Sequence, residues 1–363
     1  MRLGVQAALV EGELLPGDVE LADGRIAAVG LASPEGRGIA VPGFVDLQVN
    51  GFGGVDFLEA DAAGFERAGD ALLETGVTGY LPTLITSSEQ RLVAALRRVP
   101  LKAKGPRILG VHVEGPFLSP KRPGTHPPEL LRDPDPDLLL RLLEAGPVRL
   151  VTLAPELPGA YELIELCQER AVTVSFGHTD ATDEEAHAAF DRGVHTVTHL
   201  FNAMRPFRHR DPGIAGAALT RPDVVVQIIV DGVHLAPDTV RLVWEAAAGR
   251  VALVTDAVAP AGAGAGTFTL GDVSLVVRDG AVRSTDGVLA GSILTMIEAV
   301  RNLHELGVPL ERALEAASLV PASVIGLSDA GRIEVGRRAD LLVLDGELEI
   351  ERVLVGGETL VAV

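Results

Sequence analysis

Between Gly76 and Ala257 seven short apolar runs alternate with segments of helical pattern: GVTGYLPTLI, RILGVHVEG, VRLVTLAPE, VTVSFGH, HTVTHLF, VVVQIIVDG and VALVTDA. Strands separated by helices run parallel, and a parallel sheet of this many units favours a closed α/β barrel of the (β/α)8 TIM type over an open sheet. The alternation extends from Gly43 to about Gly331. A barrel of about 250 residues with a small second domain uses the 363 residues fully.

One unit can be read closely. VTVSFGH ends at Gly177 and His178 as a buried strand does, and Thr182 and Glu185 form an S/T-x-x-E capping pattern that starts a helix running to about Arg192, ended by Gly193. HTVTHL is the next strand. His178 and His199 therefore lie at the carboxyl edge of one sheet, where α/β folds keep their active sites. His187 falls on the helix surface, and the β-branched run around His195 gives that residue a packing role.

Both ends of the chain have a different character. Met1 to about Ala40 holds short alternating runs and turn signals, among them VELADGRIAAVG with its Asp23-Gly24 hairpin dipeptide. GRIEVGRRADLLVLDGELEIERVLVGGETLVAV returns to strands and tight turns. Neither end has enough strands for a core, so the two are expected to join in one β-sandwich, residues 1–42 and 336–363 flanking the barrel of residues 43–335. APAGAGAGTF reads as a flexible loop.

A net charge of −19 and 4% aromatic residues argue against nucleic acid as a partner, because phosphate backbones demand a basic face. Cys167 is the only cysteine, which precludes an internal disulfide and points to the cytoplasm. No apolar run reaches the roughly 18 residues of a membrane span, and MRLGVQAALVEG is too short and interrupted for a signal peptide.

Polar residues end five of the strand runs: Glu114, His178, His199, His234 and Asp256. Singly, each could be a cap or a solvated group. Together, one Glu and two His supply three N/O ligands and leave a position open, as a catalytic zinc requires. An Asp and a His then remain for proton transfer and polarisation.

These residues sit in motifs that carry a resemblance. VPGFVDLQVNGFGGVDF, GVHVEGPFLSPKRPGTH, SFGHTDAT, VTHLFNAM followed by RDPGIAGAAL, DGVHLAP, VTDAVAP, VLAGS and GRIEVGRRADLLVLD occur in this order nearly end to end. The chain resembles the amidohydrolase superfamily and, within it, the N-acetylglucosamine-6-phosphate deacetylases. The resemblance implies a (β/α)8 barrel with a β-sandwich from both termini, and amide hydrolysis of an amino-sugar phosphate. It implies one divalent metal, zinc, on Glu114, His178 and His199. Asp256 would be base and then acid, and His126 of the GTH motif would polarise the carbonyl.

The same correspondence assigns sugar-phosphate contacts to Thr125, Asn202, Ala203, His234 and the loop Leu289, Ala290 and Gly291. It assigns a phosphate contact to Arg210, supplied from the neighbouring subunit of a homodimer. One departure bears on the metal count: many amidohydrolases end the first barrel strand with His-x-His and bind two metals, whereas DLQVNG offers Gln48 and Asn50, and amides are poor zinc ligands. No lysine among Lys102, Lys104 and Lys121 ends a recognisable strand, so a bridging carboxylated lysine is also missing. His112 shares a strand face with Glu114, where packing or support of a ligand are both open. A deacetylase for the galactosamine epimer or another N-acyl amino sugar is the alternative activity, and a non-catalytic sugar-phosphate-binding protein the alternative class.

Overall fold

A computed structural model describes residues 1–33, 35–102 and 104–362. Eight parallel strands form the barrel: Phe44–Val49, Val77–Ile85, Val111–Glu114, Val148–Leu153, Thr173–Phe176, Thr196–Val197, Val225–Ile228 and Val251–Leu253. Each pairs with the next in chain order. The ring closes through a parallel bridge between Val49 and Ala257, where the Asn50 N–H donates to the Ala257 carbonyl at 2.7 Å. The strand that the seven runs of the sequence do not include is the first, Phe44–Val49, all six residues of which are buried.

The central strands are short and buried on both faces, as a parallel sheet covered by helices requires. The helix after His178 spans Asp183–Phe190, and both halves of its capping box form: the Glu185 N–H donates to Thr182 Oγ1, and the Thr182 N–H to the Glu185 carboxylate. Phe176 and Phe190 then meet at 5.3 Å between ring centroids, seating the helix on its strand.

The two chain ends share one six-stranded sheet. Ile39–Pro42 pairs antiparallel with Leu341–Leu344, which brings Ile39 opposite Leu344 and Pro42 opposite Leu341. The hairpin at Asp23-Gly24 joins Asp18–Ala22 to Arg25–Leu31, with both turn residues at positive φ (52° and 73°). Leu3, Val5, Val19, Ile26, Leu341 and Val343 form its separate apolar core.

A three-stranded antiparallel excursion, Phe268–Leu270, Val273–Arg278 and Ala281–Ser284, interrupts the barrel pattern after the eighth strand. Its first turn is pinned to the barrel, where the Gly271 N–H donates to Asp56 Oδ2 at 2.7 Å and Arg91 bridges Glu59 and Asp272. The excursion forms one wall of the cavity described below. Among the described residues no helix is long and apolar enough to cross a membrane.

His195 departs from the sequence reading. It is exposed, and its contribution is its backbone carbonyl, which accepts from the Val225 N–H at 2.8 Å. Only Thr196–Val197 form the strand, so His195 precedes it and its ring is free of the packing that a β-branched context suggests. His187 is half-buried.

Candidate active site

The carboxyl ends of the barrel strands surround a cavity of about 420 Å³. At its base His199 Nε2 lies 3.0 Å from Glu114 Oε1, His178 Nε2 lies 3.2 Å from the same oxygen, and the two Nε2 atoms are 3.1 Å apart. All three side chains are buried. His178 Nδ1 donates to the Arg122 carbonyl at 3.1 Å, which leaves its Nε2 as a bare lone pair aimed at the other two.

The local backbone explains how these side chains reach one point. His178, His199 and Asp256 all adopt positive φ (49°, 30° and 48°) immediately after their strands, turning each side chain across the barrel mouth. Non-glycine residues are uncommon there, and such strain gathers at functional sites. After Glu114 the chain turns at Gly115 (φ 88°), where a Cβ would stand 2.3 Å from Thr86 Oγ1. Any side chain at 115 would push away Thr86, which holds His126.

Electrostatics fit a cation. Burial alone would raise Glu114, but the imidazoles of His178 and His199 beside it hold its carboxyl well below the usual range. Burial opposes a charged His199, yet the hydrogen bond and charge of Glu114 keep its pKa above the ordinary value. Two nitrogen lone pairs and a carboxylate oxygen within about one hydrogen-bond length of each other are an arrangement that a divalent ion satisfies better than a shared proton. Gln48 Nε2 donates to Glu114 Oε1 at 3.1 Å and Asn50 Nδ2 to Asp256 Oδ1 at 2.7 Å. The first-strand amides thus present N–H groups to the carboxylates, where a metal would need lone pairs.

Asp256 is pushed up to about 6 by burial and by the charge of Glu114, with the Asn50 hydrogen bond opposing. His126 is pushed down to about 3, first by burial and then by His178. Its Nδ1 receives the Thr86 N–H at 3.3 Å and lies 2.8 Å from Thr86 Oγ1. The ring is therefore neutral with its proton on Nε2, which sits 3.8 Å from Glu114 Oε2 and faces the metal-type cluster as a donor.

Of the contact residues inferred from the sequence, Thr125, Asn202, Ala203, His234, Leu289 and Gly291 line this cavity with the five core groups. Thr125 Oγ1 donates to the Leu289 carbonyl at 2.7 Å, joining the GTH segment to the excursion. His234 Nδ1 donates to Asp231 Oδ2 at 2.7 Å, leaving Nε2 as the group available to a ligand. Ala290 is buried behind the wall and does not line the cavity. Arg210 is exposed and also lies outside the lining of its own chain's cavity.

His112, two residues before Glu114 on the same strand, joins a belt of hydroxyls. Its Nε2 meets Thr152 Oγ1 at 2.7 Å and its Nδ1 meets Thr83 Oγ1 at 3.3 Å, and Thr152 continues to Thr198 at 2.8 Å and Ser175 at 2.6 Å beyond it. Burial pushes its imidazole down to about 4, so it is a neutral brace. Sequence reasoning did not find Arg283, Leu270 and Val288 of the excursion, which also line the cavity.

A parallel barrel that gathers a carboxylate, two imidazoles, a neutral donor and a buried aspartate at its strand ends is built for metal-assisted hydrolysis. The Amidohydrolase family model matches residues 39–360, and the chain belongs to that family. It is 40% identical to the N-acetylglucosamine-6-phosphate deacetylase of Mus musculus, over 89% of this chain and 83% of that one. It is 34% identical to the N-acetylgalactosamine-6-phosphate deacetylase of Escherichia coli O157:H7 over 96% of both. The solved structure of an aspartate-to-alanine mutant of the Mycobacterium smegmatis N-acetyl-D-glucosamine-6-phosphate deacetylase, in complex with N-acetyl-D-glucosamine-6-phosphate, superposes with a TM-score of 0.94 at 37% identity, covering 99% of this chain and 98% of that one.

Proposed function

We propose that the chain hydrolyses the acetamide of N-acetylglucosamine-6-phosphate to glucosamine-6-phosphate and acetate. The observation that carries this reading is the Glu114, His178 and His199 cluster beside a buried Asp256 of raised pKa, in a chain whose relatives bear that activity in their names. The catalytic unit is the barrel of residues 43–335, with 1–42 and 336–363 as the sandwich. One divalent ion per chain, zinc, is held by Glu114, His178 and His199. When bound, that ion supplies Lewis acidity, which makes water nucleophilic near neutral pH and polarises a carbonyl.

The chain's own residues supply the rest. An amide carbonyl is a weak electrophile and an amine a poor leaving group, so a base, an oxyanion donor and an acid are all needed. Asp256 Oδ1 is fixed by Asn50, and Oδ2 is left to take the proton of the attacking water. Its pKa of about 6 suits both that step and the return of the proton to the departing amine nitrogen. Neutral His126 donates through Nε2 to the developing oxyanion, its tautomer fixed by Thr86. His234, oriented by Asp231, accepts from a sugar hydroxyl or meets the phosphoryl group, and Thr125, Asn202, Ala203 and the loop Leu289, Ala290 and Gly291 shape the sugar-phosphate site. Arg210, exposed and outside the lining of its own cavity, serves the neighbouring cavity of a homodimer. The lone, buried Cys167 suits a cytoplasmic enzyme.

The test is amine release from N-acetylglucosamine-6-phosphate, its galactosamine epimer and the unphosphorylated sugar, with metal measured on the same sample. Fastest turnover of the glucosamine phosphate is expected. Preference for the epimer would move the chain to the activity of its Escherichia coli relative, and no amine release from either phosphate by metal-loaded protein would overturn the deacetylase reading.

A further inference from the structure

Arg283 is the one lysine or arginine among the described residues that lines the cavity of Glu114, His178, His199 and Asp256. It lies on Ala281–Ser284, the last strand of the excursion, and is exposed toward the mouth. Its guanidinium donates once, from Nη1 to the Gly287 carbonyl at 3.0 Å. Among the described residues no carboxylate comes within ion-pair distance of it. The contrast with Arg205 is informative. That guanidinium, near the rim, is neutralised by Asp211 at 2.7 Å and Asp180 at 3.5 Å.

What sets Arg283 apart is its place: it lines the cavity, and with no carboxylate beside it the guanidinium keeps its remaining N–H donors for a ligand. The backbone around it is fixed. Arg283 and Leu289 form an antiparallel bridge, Ser284 N–H donates to the Val288 carbonyl at 2.9 Å, and the Leu289 carbonyl receives Thr125 Oγ1 beside His126. The guanidinium is thus carried on a turn whose backbone is anchored through Leu289 to Thr125. A phosphoryl group brings negative charge into the cavity, and Arg283 is the cationic side chain among the described residues that lines it.

We propose that Arg283 is a same-chain anchor for the phosphoryl group of the substrate and sets the preference for phosphorylated over neutral sugars. This rests on the amino-sugar-phosphate reading above and adds to it a residue acting from within the chain, independent of any contribution from a neighbouring subunit. Arginine suits the task because its planar fork can meet two phosphoryl oxygens at once. The contact acts mainly on binding, since the phosphoryl group is remote from the amide and is held alike before and during the reaction.

The experiment compares wild type with Arg283→Gln, which retains a donor for the Gly287 carbonyl, and with Arg283→Lys, which retains the charge without the fork. Steady-state kinetics are read on N-acetylglucosamine-6-phosphate and on unphosphorylated N-acetylglucosamine, with metal content as a control. In parallel, binding of glucose 6-phosphate to the metal-loaded protein is measured by calorimetry. Arg283→Gln is expected to raise KM for the phosphorylated sugar about 10-fold or more with kcat little changed, to leave the neutral sugar unaffected, and to weaken glucose 6-phosphate to the same degree. Arg283→Lys should fall between. Equal losses on both sugars would assign Arg283 to holding its turn, and unchanged binding of glucose 6-phosphate would overturn the proposal. If wild type releases no amine from any sugar, the deacetylase reading fails by itself. The calorimetric comparison then still decides Arg283, and wild type that binds no glucose 6-phosphate counts against it.

Discussion

Asn50 Nδ2 donates to Asp256 Oδ1 at 2.7 Å, tying the end of the first barrel strand to the end of the eighth. The bond fixes which carboxylate oxygen of Asp256 faces the cavity. A hydrogen bond to an ionised group contributes about 1.5–3 kcal/mol. Asn50→Ala should therefore lower kcat by about 10- to 100-fold with KM and metal content nearly unchanged. A change confined to KM would show that Asn50 touches substrate and leaves Asp256 alone.

Asp256→Asn keeps size and hydrogen bonding while removing the base. It should retain fold and metal and lose at least about 100-fold in kcat, the lower end of what general base catalysis contributes. Near wild-type kcat would return Asp256 to a structural role.

Asp56, which caps Gly271 at the foot of the excursion, gives a pH signature in stability. Burial pushes its carboxyl from 3.8 up to about 6, against hydrogen bonds from the Gly271 and Leu58 N–H groups. Because the folded-state pKa is raised, the folded state holds the proton longer than the unfolded chain does. Stability from this group is present below pH 4 and is lost as pH rises from about 4 to 6. The full loss corresponds to at most about 3 kcal/mol. Thermal midpoints of Asp56→Asn and wild type, compared from pH 4 to 7, should show the decline weakened in the variant; identical slopes would exclude Asp56 as its source.

Arg210→Ala should weaken kcat/KM for the phosphorylated sugar by about 10- to 100-fold and hardly alter the neutral one. Mixing Arg210→Ala chains with Asp256→Asn chains under subunit exchange should restore one good site per mixed dimer, built from Asp256 of one chain and Arg210 of the other. No recovery despite verified exchange would put the contact within one chain or remove it.

Legibility in the sequence followed the range of the interactions. The helix Asp183–Phe190 was readable because its capping box is complete within four residues, and Glu114, His178, His199, His234 and Asp256 were readable because each ends an apolar run. The union of the two chain ends followed from strand count, since neither end can close a core alone. His195 was misread because β-branched neighbours report the strand and not which residue precedes it. Arg283 was invisible because nothing local separates it from Arg278, which is exposed on the same excursion and does not line this cavity; only the fold brings residue 283 to the cavity that Glu114 also lines. Gln48 and Asn50 were read as missing ligands, while their donor bonds to Glu114 and Asp256 depend on strand ends about 66 and 206 residues away.

The central claim is that one ion on Glu114, His178 and His199 is sufficient for hydrolysis. Chelator-stripped protein, titrated with zinc while amine release from N-acetylglucosamine-6-phosphate is followed, tests it directly. Activity should rise from near zero and level off at one equivalent per chain, and Glu114→Gln should bind zinc far more weakly at the same pH. A plateau reached only at two equivalents, or full activity in the stripped protein, would contradict it.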